Sequence, residues 1–356
     1  MSRFLQLHLL TFFPPANLNR DDTGRPKTAM VGGAMRLRLS SQALKRAWRT
    51  SEVFEAALAD HMGQRTQRLG EDVLAHLKAS GMAEDKALAA ARAIAGVFGK
   101  VKDAKDKNPA RIEQLAFVAP EERAAALVLA DRALAGEKVD EAAAKAAGLL
   151  RRADTAADIA LFGRMLADSP DYNREAAAQV AHAITTHRVM VEDDYYTAVD
   201  DIKNADGEAD RGAGFIGVQE FGAGLFYLYI CIDADLLKNN LGGDKALAAD
   251  AVVALITAAA TVSPSGKQNA FASRGRASYL LLETGEGAPR SLAAAFQKAV
   301  PDDNVFETSV QRLDQLRAGF AKAYAEDLKS IAVNVYDPTS ATLADLVARA
   351  RDAVTA

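Results

Sequence analysis

One cysteine, Cys231, is all the chain has in 356 residues. That excludes an intramolecular disulfide framework and a multi-cysteine metal cluster. No run of about 18 apolar residues is free of charge, so no transmembrane helix is expected. Met1-Ser2-Arg3-Phe4 enters an alternating pattern at once. It lacks the long apolar run and small-residue cleavage site of a signal peptide. These absences together favour the cytoplasm. Glycine and proline, at 24 and 10 residues, are not enriched, which argues against bulk disorder. Ser/His/Asp, H-E-x-x-H and dinucleotide fingerprints are also missing, so no enzyme class finds a motif.

What is present is ample apolar material and an uneven charge. Hydrophobic residues make up 49% of the chain, enough for one large domain or two smaller ones. The net charge is −4, which looks wrong for a nucleic-acid binder until its distribution is read. Residues 1–50 hold nine Lys/Arg and only two acids, Asp21 and Asp22, giving +7 there and −11 in the remainder. Charge segregated in this way suggests one surface for a polyanion on an acidic body.

Phe4 to Leu10 alternates as a half-buried strand. Residues 12–34, with Pro14, Pro15, Gly24, Pro26, Gly32 and Gly33, read as a long basic loop. Met35 to Leu39 alternates again and carries Arg36 and Arg38 on one face. Ser40 or Ser41 can cap the next helix, on which Gln42, Lys45, Arg46 and Arg49 form a polar stripe. From about 57 to 190 the pattern is alanine-rich and helical, interrupted at Asn108-Pro109 and Ala119-Pro120. Residues 193–224 mix acids with glycines and read as a hairpin or protruding loop. Strands are expected at 225–232, 278–282 and 331–335, and helices at 244–260, 305–327 and 341–354. Strands separated by helices, with a helical insertion, place the fold in the α+β class.

Several segments carry a family resemblance. They are His8-Leu9-Leu10-Thr11, Pro14-Pro15-Ala16-Asn17-Leu18-Asn19-Arg20-Asp21-Asp22 and Gly24-Arg25-Pro26-Lys27. Arg36 to Gln42 and Leu44 to Arg49 continue the series, and Ala160 to Met165, Ala178 to Ile184, Thr186-His187 and Gly266 to Asn269 agree with it. Together they resemble the Cascade backbone subunit of type I-E CRISPR systems, the CasC family. The resemblance implies a hand-like protein. A ferredoxin-like palm, similar to an RNA-recognition-motif (RRM-like) fold, would comprise 1–59, 182–192 and 224–356. Helical fingers would occupy 60–181 and a β-hairpin thumb 193–223. It further implies an antiviral-defence ribonucleoprotein without catalytic residues, metal or cofactor. Its partners would be CRISPR RNA (crRNA), target DNA, other Cascade subunits and further copies of itself in a helical filament.

A subunit holding RNA of any sequence should grip sugar and phosphate and leave base edges free. Long cations and small donors suit that task, and Arg20, Lys27, Ser40, Gln42, Lys45, Arg46 and Arg49 supply them. A solvated basic face without a ligand is the bland alternative. Met165 could approach a guide from the fingers or lie in a core. Lys267, with Gln268 and Arg274, could touch RNA or an adjacent copy; Gly266-Lys267 is not a P-loop. Phe215, Ile216, Val218 and Phe221 could supply a thumb wedge, or the segment could pack on a neighbouring subunit. His182 and His187 are spaced five apart and miss the helical zinc pair, so a structural role is expected. Asp21-Asp22 could hold magnesium for RNA cleavage or pair with Arg20 or Arg25. A metal-dependent ribonuclease and a protein-only scaffold are therefore the two rival readings.

Overall fold

The computed structural model describes residues 3–198, 215–301 and 303–356. β1 (Arg3–Ala16) leads through the basic loop to the hairpin of β2 (Thr28–Val31) and β3 (Ala34–Leu39). α1 (Ser41–Arg49) and α2 (Glu52–Ala57) follow, then a helical region that opens with β4 (Gln64–Thr66). That region holds α3 (Leu69–Ala79), α4 (Glu84–Gly96), β5 (Ala116–Val118), α5 (Pro120–Leu134) and α6 (Glu141–Ala146). α7 (Ala157–Phe162), β6 (Ala178–Val180) and β7 (Ala183–Thr185) return the chain to the main body. β8 (Glu192–Ala198) and β9 (Phe215–Asp233) form a projecting hairpin. The last elements are α8 (Ala234–Asn240), α9 (Lys245–Thr261), α10 (Gln268–Phe271), β10 (Ala277–Glu286), α11 (Val305–Tyr324), β11 (Lys329–Asn334) and α12 (Leu343–Thr355).

Among the described residues one antiparallel sheet runs in the order β11-β10-β1-β9-β7-β3-β2, with β6 and β8 also paired to β9. β1 is central, and its alternation places Leu5, Leu7 and Leu9 on one face. There they pack with α9, α12 and Trp48 of α1. α9 is alanine-rich and buried on nearly every side, as expected of a helix that is apolar all round. The opposite face is covered as well: Leu10, Tyr227, Tyr279 and Leu281 lie beneath Phe296 and Leu313 of α11. The half-buried reading of β1 is therefore corrected. Gln6 and His8, expected on an open face, are both buried, because α11 and the 290–300 segment close over them.

A second, separate core runs from Leu69 to Leu166 and is built largely from α3, α4 and α5. Alanines there (Ala87, Ala91, Ala126 and Ala130) are fully buried and let the helices approach closely. The helical reading of 57–190 overlooked strands. β4 pairs with β5, while β6 and β7 belong to the main sheet. These strands are only three residues long, too short to impose a period-2 pattern.

Candidate nucleic-acid interface

The basic loop is built by its own small polar residues. Asp21 Oδ1 accepts from the Thr23 amide and hydroxyl and from the Arg25 amide, closing a tight turn. The Thr23 hydroxyl and those amides hold the Asp21 carboxyl below its usual range. Asn19 accepts the Lys27 amide on its carbonyl at 2.8 Å, and its side chain accepts the Ser40 amide at 2.8 Å. Asn17 donates to the carbonyls of Gly24 and Glu220. Arg25 Nε donates to Glu220 at 2.7 Å, tying the loop to the root of the projecting hairpin. Sequence reasoning quoted Asn17 and Asn19 as motif residues but gave them no part in shaping the loop.

A second loop leans on the first. Gly266 lies so close to Leu18 that a Cβ there would sit 2.2 Å from the Leu18 carbonyl oxygen. This close approach places Lys267, in a left-handed backbone conformation, beside the hairpin, with its Nζ 3.4 Å from Gln219. Arg20, Lys27, Arg38, Arg46, Lys267 and Arg274 form no ion pair among the described residues. Lys27 and Arg38 line one small depression beside Leu18, and Lys267 sits on the loop that abuts Leu18. His182 registers the field: burial and the nearby Arg38 and Lys27 hold its pKa below the ordinary value. It accepts from Arg38 at 2.7 Å and stays neutral.

The remaining candidates divide. Ser40 is buried and spent as the N-cap of α1, its Oγ accepting from the Ala43 amide at 3.4 Å. Gln42 and Arg46 are exposed on α1. Lys45 and Arg49 turn instead toward α7. Lys45 Nζ stands 5.5 Å from the Phe162 ring centroid, and burial lowers its pKa. Arg49 pairs with buried Asp158 at 2.7 Å. Arg36, expected on a strand face with Arg38, is completely buried and donates to the carbonyls of Thr185 and Phe296. Arg164, next to Met165, is locked in a buried pair with Glu122 at 2.6 Å. Met165 itself is 80% exposed, which corrects its core alternative. His187 is structural, donating to the Arg188 carbonyl and accepting the Leu225 amide.

In the projecting hairpin, Glu192–Ala198 pairs with Phe215–Phe221. Residues 199–214 and the side chains of Phe215 and Ile216 lie outside the described residues. Val218 is 64% exposed, cross-strand from Tyr195, itself 62% exposed. Phe221, half-buried, packs on Phe271 of α10 with ring centroids 6.1 Å apart at the hairpin root. Tyr195 was missed, although two adjacent tyrosines after an acidic pair were there to be read. Among the described residues no group of three His, Cys, Asp or Glu could hold a metal, and no helix is long and apolar enough to cross a membrane.

No curated protein matches the chain. Among solved structures, a chain of a "CRISPR RNA-guided surveillance complex, pre-nicking" superposes with a TM-score of 0.85 at 30% identity, covering 98% of this chain and 100% of that one. A chain of a second "CRISPR RNA-guided surveillance complex" gives 0.74 at 25% identity, covering 97% and 99%. The family model described as CT1975-like protein matches residues 5–354, and the chain belongs to that family.

Proposed function

We propose that this chain is a subunit of a CRISPR RNA-guided surveillance complex and serves as its non-catalytic RNA-holding backbone, of the type I-E CasC kind. The end-to-end likeness to a chain of such a complex carries the reading. The cations around the two apposed loops that form no ion pair among the described residues support it. Arg20, Lys27, Arg38, Arg46 and Lys267 are point or fork donors suited to phosphate. The guide would be held by sugar and phosphate, without sequence preference, and presented for pairing with target DNA. The main sheet is read as an RRM-like, ferredoxin-like palm, the Leu69–Leu166 core as fingers and the β8–β9 hairpin as a thumb. The palm's other face lies under α11, so bases would not stack on it in the manner of ordinary RNA-recognition domains. Further copies in a filament, other Cascade subunits, antiviral defence and a cytoplasmic location complete the proposal. For the rival ribonuclease reading, Asp21 Oδ1 is taken by its own turn, while Asp22 beside it is exposed.

The test is to purify the protein from cells carrying its CRISPR locus and to sequence the co-purifying nucleic acid. Small RNAs with uniform repeat-derived ends, protected in regular steps, are expected. A folded, partner-bound protein free of RNA would overturn the reading in favour of a protein-only scaffold. Target RNA cut by the wild type but not by an Asp21→Ala/Asp22→Ala variant would instead favour the ribonuclease.

A further inference from the structure

The cationic stripe of α1 is split. Gln42 and Arg46 face solvent, while Lys45 and Arg49 meet α7, where Phe162 and Asp158 stand one helical turn apart. Arg49 is the more deeply engaged. Its Nε donates to Asp158 Oδ2 at 2.7 Å and a terminal nitrogen to the Gly63 carbonyl at 2.9 Å. Its guanidinium lies over the Phe117 ring, 4.6 Å from the centroid. Asp158 is wholly buried, and its other oxygen accepts the Gly63 amide at 2.8 Å. Gly63 has no room for a side chain: a Cβ would meet Ile159 and Phe117 at 2.8 Å each. Four elements therefore meet at one guanidinium: α1 and α7 of the main body, the Gly63 strand entry, and β5, whose Phe117 packs on Ile159 of α7 while its Ala116 and Val118 belong to the second core.

From this we infer that Arg49 is a positioning residue, which, held by Asp158, sets the second core against the main sheet through the Gly63 backbone and the Phe117 ring and does not itself hold a phosphate. The inference rests on the RNA-binding reading only for its binding arm. A planar fork on a carboxylate, a carbonyl and an aromatic face uses what distinguishes arginine from lysine. Here Nε and a terminal nitrogen are already taken by protein acceptors.

The experiment measures two things on the full chain. Spin labels at Gln311→Cys and Ser80→Cys report the distance between the main body and the second core, with buried Cys231 left unlabelled. Oligouridylate binding is followed as a function of salt. Arg49→Lys and Asp158→Asn are each expected to broaden the distance distribution. Each should weaken binding by roughly 3- to 30-fold, and the double variant should be no worse than either, as for one coupled unit. The log–log salt slope should stay at the wild-type value in both. Arg46→Gln, the exposed neighbour, should lower that slope by about 0.7. The proposal is overturned if Asp158→Asn leaves the distances unchanged. It is overturned equally if Arg49→Lys binds like wild type while Arg49→Gln loses about 0.7 of slope. A wild type that never retains oligouridylate would sink the RNA reading alone, and the distance measurement would still decide the role of Arg49.

Discussion

His8 lies inside the sheet's α11 face, stacked 5.1 Å from the Tyr229 ring. Its Nδ1 accepts from Tyr227 Oη at 2.9 Å, and its Nε2 donates to Glu283 at 3.2 Å. Arg290 reaches the same carboxylate and continues to Glu326. Burial alone would push Glu283 up, yet the hydrogen bonds from His8 and Arg290 bring it down to about 2 from 4.5. Burial holds His8 below 6.5, so it is neutral at neutral pH. Both shifts have the same sign. Each group binds fewer protons folded than unfolded, so stability is present at neutral pH and falls on acidification. Thermal melting is expected to drop as pH falls below 6.5, most steeply from about 4.5 toward 2. Glu283→Gln should flatten that acid limb and lower the neutral-pH melting temperature. An unchanged pH profile in the variant would show that the network carries no such coupling. None of this was legible beforehand. A histidine and a glutamine on an alternating strand look solvent-facing until the helix that covers them, 300 residues away in sequence, is in place.

Elements were more readable than their partnerships. α9, α11 and α12 stand within a few residues of where periodicity put them, and Ser40 is the cap its position suggested. Local propensity decides such elements. Which loop rests on which is a tertiary matter, and the apposition of Gly266 with Leu18 shows its force. Gly266→Ala would drive a methyl into a backbone oxygen that cannot swing aside. The expected cost is about 1–3 kcal/mol of overpacking strain in urea unfolding. Oligoribonucleotide affinity should also fall several-fold, because Lys267 would be pushed away from the basic loop at Leu18. A variant that binds as tightly as wild type would show that the two loops need not act as one. The basic segment was visible in composition alone. The turning of Lys45 and Arg49 away from it was not, since their partners Phe162 and Asp158 lie more than a hundred residues on.

At the scale of the molecule, two cores share one chain. Leu77 is fully buried in the second and contributes nothing to the first. Leu77→Ala should cost about 2–5 kcal/mol. In hydrogen exchange the added deuteration should concentrate between residues 69 and 166, since proteins open in cooperative units. Uniformly increased exchange across the main sheet would mean that the two cores unfold as one. The composition of 121–149 made such a body foreseeable, but not that a short strand pairing would brace it. β9 links a different pair of regions. It is one uninterrupted strand of nineteen residues, held by β1, β6 and β7 at one end and by β8 at the other. At about 3.4 Å per residue such a strand spans roughly 60 Å. It acts as a cantilever: the clamped end sits in the main sheet and the other end carries the hairpin with β8. Load on that other end bends the ladder gradually or passes into β1. The root is fastened: Gly222 and Gly224 lie opposite the β1 bulge between Phe13 and Ala16 and pack against Leu37 and Thr185, while Phe221 and Glu220 hold to Phe271, Asn17 and Arg25. A projection mounted in this way returns to a fixed angle whenever whatever displaced it leaves.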